Sequence, residues 1–268
     1  MQISKIVAAS DESDAGRQAI WMALEVASMT GASVSVLHVM PMMPAEANGS
    51  TAVLEQLARW VRSDLPPLHP MPPMTYSLAY GLPGIEIARF AEQERADLLV
   101  VGRKQRTRMA RLLMGDTADA VARRSRLPCL FVPPRAPPPR RVLVTVDGSG
   151  RGMGVLNLAD SFARQLGAEL GVLTVEPVHA GEPAHLAMAT PATRSTRIQS
   201  WVHETLASGL DVRRGNPAEQ ILAAAHERVP DVLVVGCHRG GPAGVIEAGS
   251  TARRVLHAAA CAVLTVPL

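Results

Sequence analysis

The sequence has few cysteines and no long apolar run, and each shortage excludes a class of protein. Its three cysteines, Cys129, Cys237 and Cys261, are odd in number and far apart, so they form neither a disulfide framework nor a zinc-binding pattern. The longest uncharged segment, residues 65–85, contains six prolines and cannot form a membrane-spanning helix. The apolar run at residues 6–9 is too short for a signal peptide. We therefore expect a soluble cytoplasmic protein that has no membrane partner.

Motifs for rapid catalysis and for nucleic-acid binding are also missing. The sequence contains no P-loop, no nucleophile elbow and no paired carboxylates, and its eight histidines lack metal-ligand spacing. The glycine run at residues 148–154 misses the dinucleotide-binding spacing, because Met153 stands at the third glycine position; a flexible loop is expected there instead. The basic segment 103–111 has no interleaved aromatic residues, which favours a solvated loop over nucleic-acid binding. An enzyme is the weakest of the functional hypotheses, with slow ATP hydrolysis at most.

What the sequence does contain is a duplication. Apolar strand segments alternate with helical segments in both halves, and matching turns recur at a spacing of 134 residues, as in Gly81 and Gly215. A period this long indicates a duplicated domain rather than a solenoid repeat. Alternating strands and helices predict α/β domains with parallel sheets and right-handed crossovers. We place the two domains at residues 1–134 and 140–268, joined by a short proline-rich linker.

The predicted elements follow this repeat. Strands are predicted at residues 3–9, 33–39, 75–79, 98–101 and 129–132, and again at residues 142–146, 169–175, 210–213, 232–235 and 262–266. Helices are predicted at residues 16–29, 52–63 and 85–94, and again at residues 153–166, 193–208, 218–227 and 252–260. The turns Gly81-Leu82-Pro83 and Gly215-Asn216-Pro217 each start a helix, because proline is preorganised for the first helical position.

One glycine-rich segment, residues 231–256, has the strongest functional pattern. A short apolar strand leads into a loop with four glycines, and Ser250 is placed to cap the helix that follows. Glycines let backbone approach a ligand closely, and the amides of a helix N-terminus favour anions. A phosphate cradle fits this pattern, and so does a connection between strand and helix that binds nothing.

Taken together, these features resemble the universal stress protein family, and the whole chain resembles a tandem member. The resemblance rests on the aspartate that ends the first strand, the Gly-x-Pro turn, the strands DLLVVG and DVLVVG, a glycine thirteen residues later, and a closing strand that ends in proline. It implies, for each domain, a five-stranded parallel sheet with helices on both faces, of the adenine nucleotide alpha hydrolase-like type. In ATP-binding members the motif is Gly-x2-Gly-x9-Gly followed by Ser or Thr.

The first half departs from that motif. Gly102 and Gly115 match, but Gln105 replaces the second glycine and Asp116 replaces the hydroxyl residue. A carboxylate 4 Å from a phosphate charge is repelled by roughly 1–4 kcal/mol. We therefore expect no ATP binding in the first domain.

The second half fits the motif better. The resemblance assigns nucleotide contacts to Asp147, Gly148, Gly236, Arg239, Gly240, Gly249, Ser250 and Thr251. Arg239 stands at the second glycine position, where it either contacts phosphate or fills the cleft. Asp147 either lies beside the sugar and base or only caps the next helix.

Two functions follow from these assignments. In the first, ATP or a related adenine nucleotide binds in the second domain and the protein acts as a stress sensor. In the second, the duplicated core binds no nucleotide and serves as an adaptor for protein partners. The resemblance further implies an intramolecular pseudo-dimer, with the closing strands at residues 129–132 and 262–266 side by side, and it leaves room for a homodimer.

Overall fold

The computed structural model describes residues 1–41, 49–63, 68, 70–103, 117–147, 149–177, 210–237 and 250–268. The chain divides into two compact units: one holds Met1–Pro138, and the bulk of the other begins at Pro139. We call them the first and second domains. Each is a sheet with helices packed on it, so the predicted class of tandem α/β domains is confirmed.

In the first domain the strand order is β3-β2-β1-β4-β5, and every neighbouring pair runs parallel. The strands are β1 (Lys5–Ser10), β2 (Ser33–Met40), β3 (Met74–Tyr80), β4 (Leu98–Gly102) and β5 (Cys129–Val132). The helices are α1 (Asp14–Thr30), α2 (Gly49–Ser63), α3 (Pro83–Gln93) and α4 (Thr117–Arg124). Because β1 lies between β2 and β4, the crossovers leave it in opposite directions and open a crevice at its carboxyl end.

The second domain repeats this plan in the order β10-β9-β6-β7-β8, with β6 parallel to β7 and β9 and β7 parallel to β8. Its strands are β6 (Arg141–Val146), β7 (Glu169–Glu176), β8 (Leu210–Arg214), β9 (Val232–Cys237) and β10 (Ala262–Pro267). Its described helices are α5 (Gly150–Gln165), α6 (Pro217–Arg228) and α7 (Ser250–Ala258). The crevice of this domain lies at the carboxyl end of β6.

An aspartate at the start of the fourth strand ties each sheet together. In the first domain Oδ2 of Asp97 accepts a hydrogen bond from the amide of Lys5 at 2.9 Å. In the second, Oδ2 of Asp231 accepts from the amide of Arg141 at 2.8 Å. The apolar residues that follow each aspartate are buried. The recurring DLLVVG and DVLVVG segments therefore combine a backbone clamp with the central buried strand of a parallel sheet.

The two Gly-x-Pro turns start helices, as predicted. Gly81 and Gly215 have φ values of +134° and +131°, a region that glycine adopts readily and other residues avoid. Helices α3 and α6 begin at Pro83 and Pro217. Glycine makes the turn, and proline then fixes the first helical residue.

The predicted elements agree with the described ones to within three residues at every end. The helix predicted at residues 193–208 lies outside the described residues. Among the residues that are described, no helix has the length and apolar character needed to cross a membrane. The domain boundaries and the pairing of the two closing strands stay predictions.

Candidate functional site

The turn between β6 and α5 positions the first candidate residue. Ser149 is the N-cap of α5, and its hydroxyl accepts a hydrogen bond from the amide of Gly152 at 3.0 Å. Oδ1 of Asp147 in turn accepts from the amide of Ser149 at 3.0 Å and from its hydroxyl at 2.6 Å. The alternative in which Asp147 itself caps the helix is therefore wrong. Ser149 caps α5, and Asp147 orients Ser149.

Gly152 is required by the same turn. A Cβ at this position would lie 2.5 Å from Oδ1 of Asp147, well inside van der Waals contact. Helix α5 begins at Gly150, so the glycines from there onward are helical, and the flexible loop expected at residues 148–154 is wrong over 150–154. Glycine at position 152 lets the carboxylate of Asp147 lie against the first turn of the helix.

A cavity of about 410 Å³ opens beside this turn, around the carboxyl ends of β6, β7 and β9. Its volume falls within the range of roughly 300–1,000 Å³ that is typical of small-molecule sites. Asp147 provides a carboxylate at its edge, and Thr251 provides a hydroxyl from the first turn of α7. The apolar wall is aliphatic and includes Val146, Val155, Val175, Ile221, Val235 and Leu268. The cavity therefore combines an apolar wall with a few polar groups, as ligand sites do.

Three of the predicted site residues meet at this cavity: Asp147, Gly236 and Thr251. Ser250 is the first described residue of α7. The position before it lies outside the described residues, so the N-cap role predicted for Ser250 stays a prediction. The other predicted residues, Gly148, Arg239, Gly240 and Gly249, lie outside the described residues. Their nucleotide contacts stay predictions, as do the two alternatives for Arg239.

Gly236 lies at the end of β9 beneath two side chains. A Cβ there would lie 2.8 Å from Cδ1 of Leu268 and 3.1 Å from Cγ2 of Val155. The amide of Leu268 donates to the carbonyl of Cys237 at 2.9 Å, which holds this residue beside the end of β9. The glycine predicted as a phosphate contact therefore also makes room for part of the cavity wall.

Sequence reasoning missed most of the aliphatic wall. Pro217 and Ile221 are four residues apart on α6, and Gly152 and Val155 are three apart on α5. Residues at these spacings share one helix face. This periodicity, counted from each predicted helix start, could have identified them. Val175 at the end of β7 carries no comparable signal.

Cys237 follows Gly236 and is buried. Burial raises the pKa of its thiol to about 12, and the hydrogen bond with Thr265 only partly opposes this effect. At neutral pH the residue is therefore a protonated thiol and no nucleophile. The described residues also contain no group of three or more histidine, cysteine, aspartate or glutamate side chains that could hold a metal ion.

The equivalent turn of the first domain has the same pattern of hydrogen bonds at the start of its helix. Ser13 caps α1, accepts from the amide of Gly16 at 3.2 Å, and donates from its hydroxyl to Oδ1 of Asp11. Gln105, Gly115 and Asp116 lie outside the described residues. The repulsion of phosphate expected at Asp116 therefore stays a prediction.

Both halves of the chain are similar to universal stress proteins. The model of the universal stress protein family matches the chain twice, over residues 2–133 and over residues 139–267. The universal stress protein MJ0531 of Methanocaldococcus jannaschii is 29% identical over 139 residues, which span 48% of this chain and 81% of that protein.

Solved structures show a similar fold over the whole chain. PA1789 of Pseudomonas aeruginosa, a protein of unknown function, superimposes with a TM-score of 0.75 at 19% identity and covers 99% of this chain and 92% of its own. A universal stress protein from Archaeoglobus fulgidus superimposes with a TM-score of 0.68 at 18% identity and covers 100% of this chain and 99% of its own. At these identities the likeness concerns the fold.

Proposed function

The chain belongs to the universal stress protein family and carries two of its domains, and on this premise we propose that its second domain binds ATP or a related adenine nucleotide. Bound nucleotide would report the energy state of the cell, so that the protein acts as a stress sensor. The observation that carries the proposal is the cavity of about 410 Å³ at the end of β6, where Asp147, Gly236 and Thr251 meet.

The chemistry of the cavity suits an adenine nucleoside. The aliphatic side chains Val175 and Ile221 offer an apolar wall to a planar base. The carboxylate of Asp147 is exposed and is an acceptor for hydroxyl or amino groups. Gly152 has no Cβ, and a side chain there would displace this carboxylate. The described residues therefore fit the base and sugar end of the ligand.

The phosphate end is assigned to the start of α7. The first four amides of a helix lack partners within the helix and carry a partial positive charge, so they favour anions. Thr251 lies in this first turn and lines the cavity. Gly249 and Ser250 precede it in the motif, and we propose that they and Arg239 complete the phosphate contacts.

The single most informative experiment is mass spectrometry of the supernatant from denatured full-length protein, followed by titration calorimetry with ATP. We expect an adenine nucleotide to co-purify and ATP to bind once per chain. The control is GTP, whose base presents different hydrogen-bonding groups at the same cavity. A full-length protein that binds no adenine nucleotide would leave the adaptor hypothesis, in which the duplicated fold acts only through protein partners.

The place of action is proposed to be the cytoplasm. None of the three cysteines forms a disulfide, and Cys129 and Cys237 are buried, which fits a reducing compartment. ATP is abundant there, so a sensor of adenine nucleotide would meet its ligand. Fractionation of cells that produce the tagged protein tests this placement.

A further inference from the structure

Helices α6 and α7 both line the cavity, and one side chain ties them together. Pro217 and Ile221 reach the cavity from α6, and Thr251 and Ala252 reach it from α7. The two helices pack against each other. The width of the cavity on this side therefore depends on how the starts of α6 and α7 are held.

Arg254 holds them through two hydrogen bonds. From α7, its Nη1 donates to Oδ1 of Asn216 at 3.2 Å, and its Nη2 donates to Oε1 of Glu219 at 3.2 Å. Asn216 is the N-cap of α6, and its Oδ1 also accepts from the amide of Glu219 at 3.3 Å. One guanidinium thus reaches both the cap and the first turn of α6 from a position one turn beyond Thr251.

We propose that Arg254 is a positioning residue that sets the spacing of α6 and α7 and thereby the affinity of the cavity for its nucleotide. This inference rests on the proposed function. A guanidinium presents donors in a rigid planar fork, so it can hold two acceptors at once, whereas an ammonium group is a single point charge. The contact with both Asn216 and Glu219 therefore calls for arginine.

The described part of the first domain has no equivalent of this bridge. At the spacing of 134 residues, Asn216 and Arg254 correspond to Leu82 and Ala120. Leu82 gives α3 no side-chain cap. Helices α3 and α4 instead meet in direct contact, since a Cβ at Gly84 would lie 2.3 Å from Cβ of Ala120. The bridge through Arg254 therefore occurs in the domain that contains the described cavity.

The exposure of this bridge makes it testable. The side chains of Arg254 and Glu219 are 51% and 64% exposed, and exposed ion pairs contribute little to folding stability. Removing Arg254 should therefore leave the domain folded while it loosens the helix starts. If the loosened helices have the spacing that binds ligand for only a fraction of the time, the apparent affinity for the ligand falls by that fraction.

The test measures ATP affinity of the full-length protein by calorimetry for the wild type, Arg254→Ala, Arg254→Lys and Arg164→Ala. Arg164 is the matched control. Its side chain is 65% exposed and pairs with Asp160 at 2.9 Å, but both residues lie on α5, so this ion pair does not connect two helices. We expect Arg254→Ala to weaken binding about fivefold, a size typical of residues that affect a site without touching the ligand. Arg254→Lys should be intermediate, and Arg164→Ala should match the wild type.

The outcomes separate the two proposals. If the wild type binds no adenine nucleotide, the proposed function is overturned and this inference with it. If the wild type binds ATP and Arg254→Ala behaves like Arg164→Ala, only the role of Arg254 is overturned. Should Arg254→Ala shift the unfolding midpoint by more than about 3 °C, Glu219→Ala replaces it, because that variant keeps Arg254 and Asn216 and removes the acceptor of one of the two hydrogen bonds. Unchanged affinity in Glu219→Ala would then overturn the inference.

Discussion

The two domains share one fold and one turn chemistry, but they differ in how their helices meet the ends of the strands. In the first domain a Cβ at Gly102 would lie 2.3 Å from the carbonyl oxygen of Ala15, so the first turn of α1 rests on the end of β4. In the second domain the atoms nearest the equivalent position, Gly236, belong to the side chains of Leu268 and Val155. The same glycine therefore permits a backbone contact in one domain and a side-chain wall in the other.

A second difference lies between the helices that follow. Helices α3 and α4 meet through Gly84 and Ala120, whereas the equivalent positions, Ala218 and Arg254, belong to helices joined by a long side chain. Equivalent positions of the two domains thus have different neighbours.

The largest expected effect comes from adding one methyl group at the two glycines. Gly102→Ala should destabilise the first domain by about 3 kcal/mol, because its Cβ would meet backbone that cannot move aside. Gly236→Ala should cost about 1 kcal/mol, because the side chains of Leu268 and Val155 can shift. Differential scanning calorimetry of both variants measures the two losses. Equal losses would show that the two glycines pack alike.

A charge exchange tests the difference between the two motifs. Ser250→Asp copies the first domain's residue into the second and should weaken ATP binding by roughly 1–4 kcal/mol through repulsion of phosphate. An aspartate in the first turn of α7 is favourable for the helix itself, so folding should be retained. Asp116→Ser is the control and should leave the affinity unchanged, since distant sites act independently. Calorimetry with ATP measures the affinity and the number of sites in both variants. Binding of a second ATP by Asp116→Ser would mean that Asp116 alone prevents ATP binding in the first domain.

A third pair of variants tests the turn that holds the carboxylate. Gly152→Ala places a Cβ 2.5 Å from Oδ1 of Asp147, so the carboxylate must move. We expect about tenfold weaker ATP binding, or ~1.4 kcal/mol. Gly16→Ala makes the equivalent change in the first domain, where the Cβ would lie 2.9 Å from Oδ1 of Asp11, and should leave the affinity unchanged. Similar losses in both variants would point to a general loss of stability.

Sequence periodicity predicted the fold because its signals are local. Val232–Cys237 is an apolar run bounded by Asp231, and the Gly215 turn with Pro217 fixes where α6 begins. The resemblance to a known family then pointed to Asp147, Gly236 and Thr251, which meet at the cavity. Each of these residues occupies a position set by the end of a strand or the start of a helix.

The remaining features depend on distances between elements, which a motif does not encode. The carboxylate of Asp147 leaves no room for a Cβ at Gly152, and the bridge from Arg254 joins α7 to residues 35 and 38 positions earlier.

The smallest expected effect is a pH dependence of stability at the clamp of the first sheet. Burial alone would raise the pKa of Asp97, but hydrogen bonds from the hydroxyl and amide of Ser4 and from the amide of Lys5 outweigh it, so the pKa lies below its ordinary value. A carboxylate with a lowered folded-state pKa stabilises the protein above its unfolded value, near 3.9, and this stabilisation is lost as the pH falls through the folded value.

Asp97→Asn should therefore be less stable than the wild type at pH 6, and the difference should shrink towards pH 3. Because Asp97 is partly exposed, solvent screening limits the difference at pH 6 to less than about 1 kcal/mol. Urea denaturation at the two pH values measures it. A stability difference for Asp97→Asn that stays constant between pH 6 and pH 3 would show that the clamp acts through shape rather than charge.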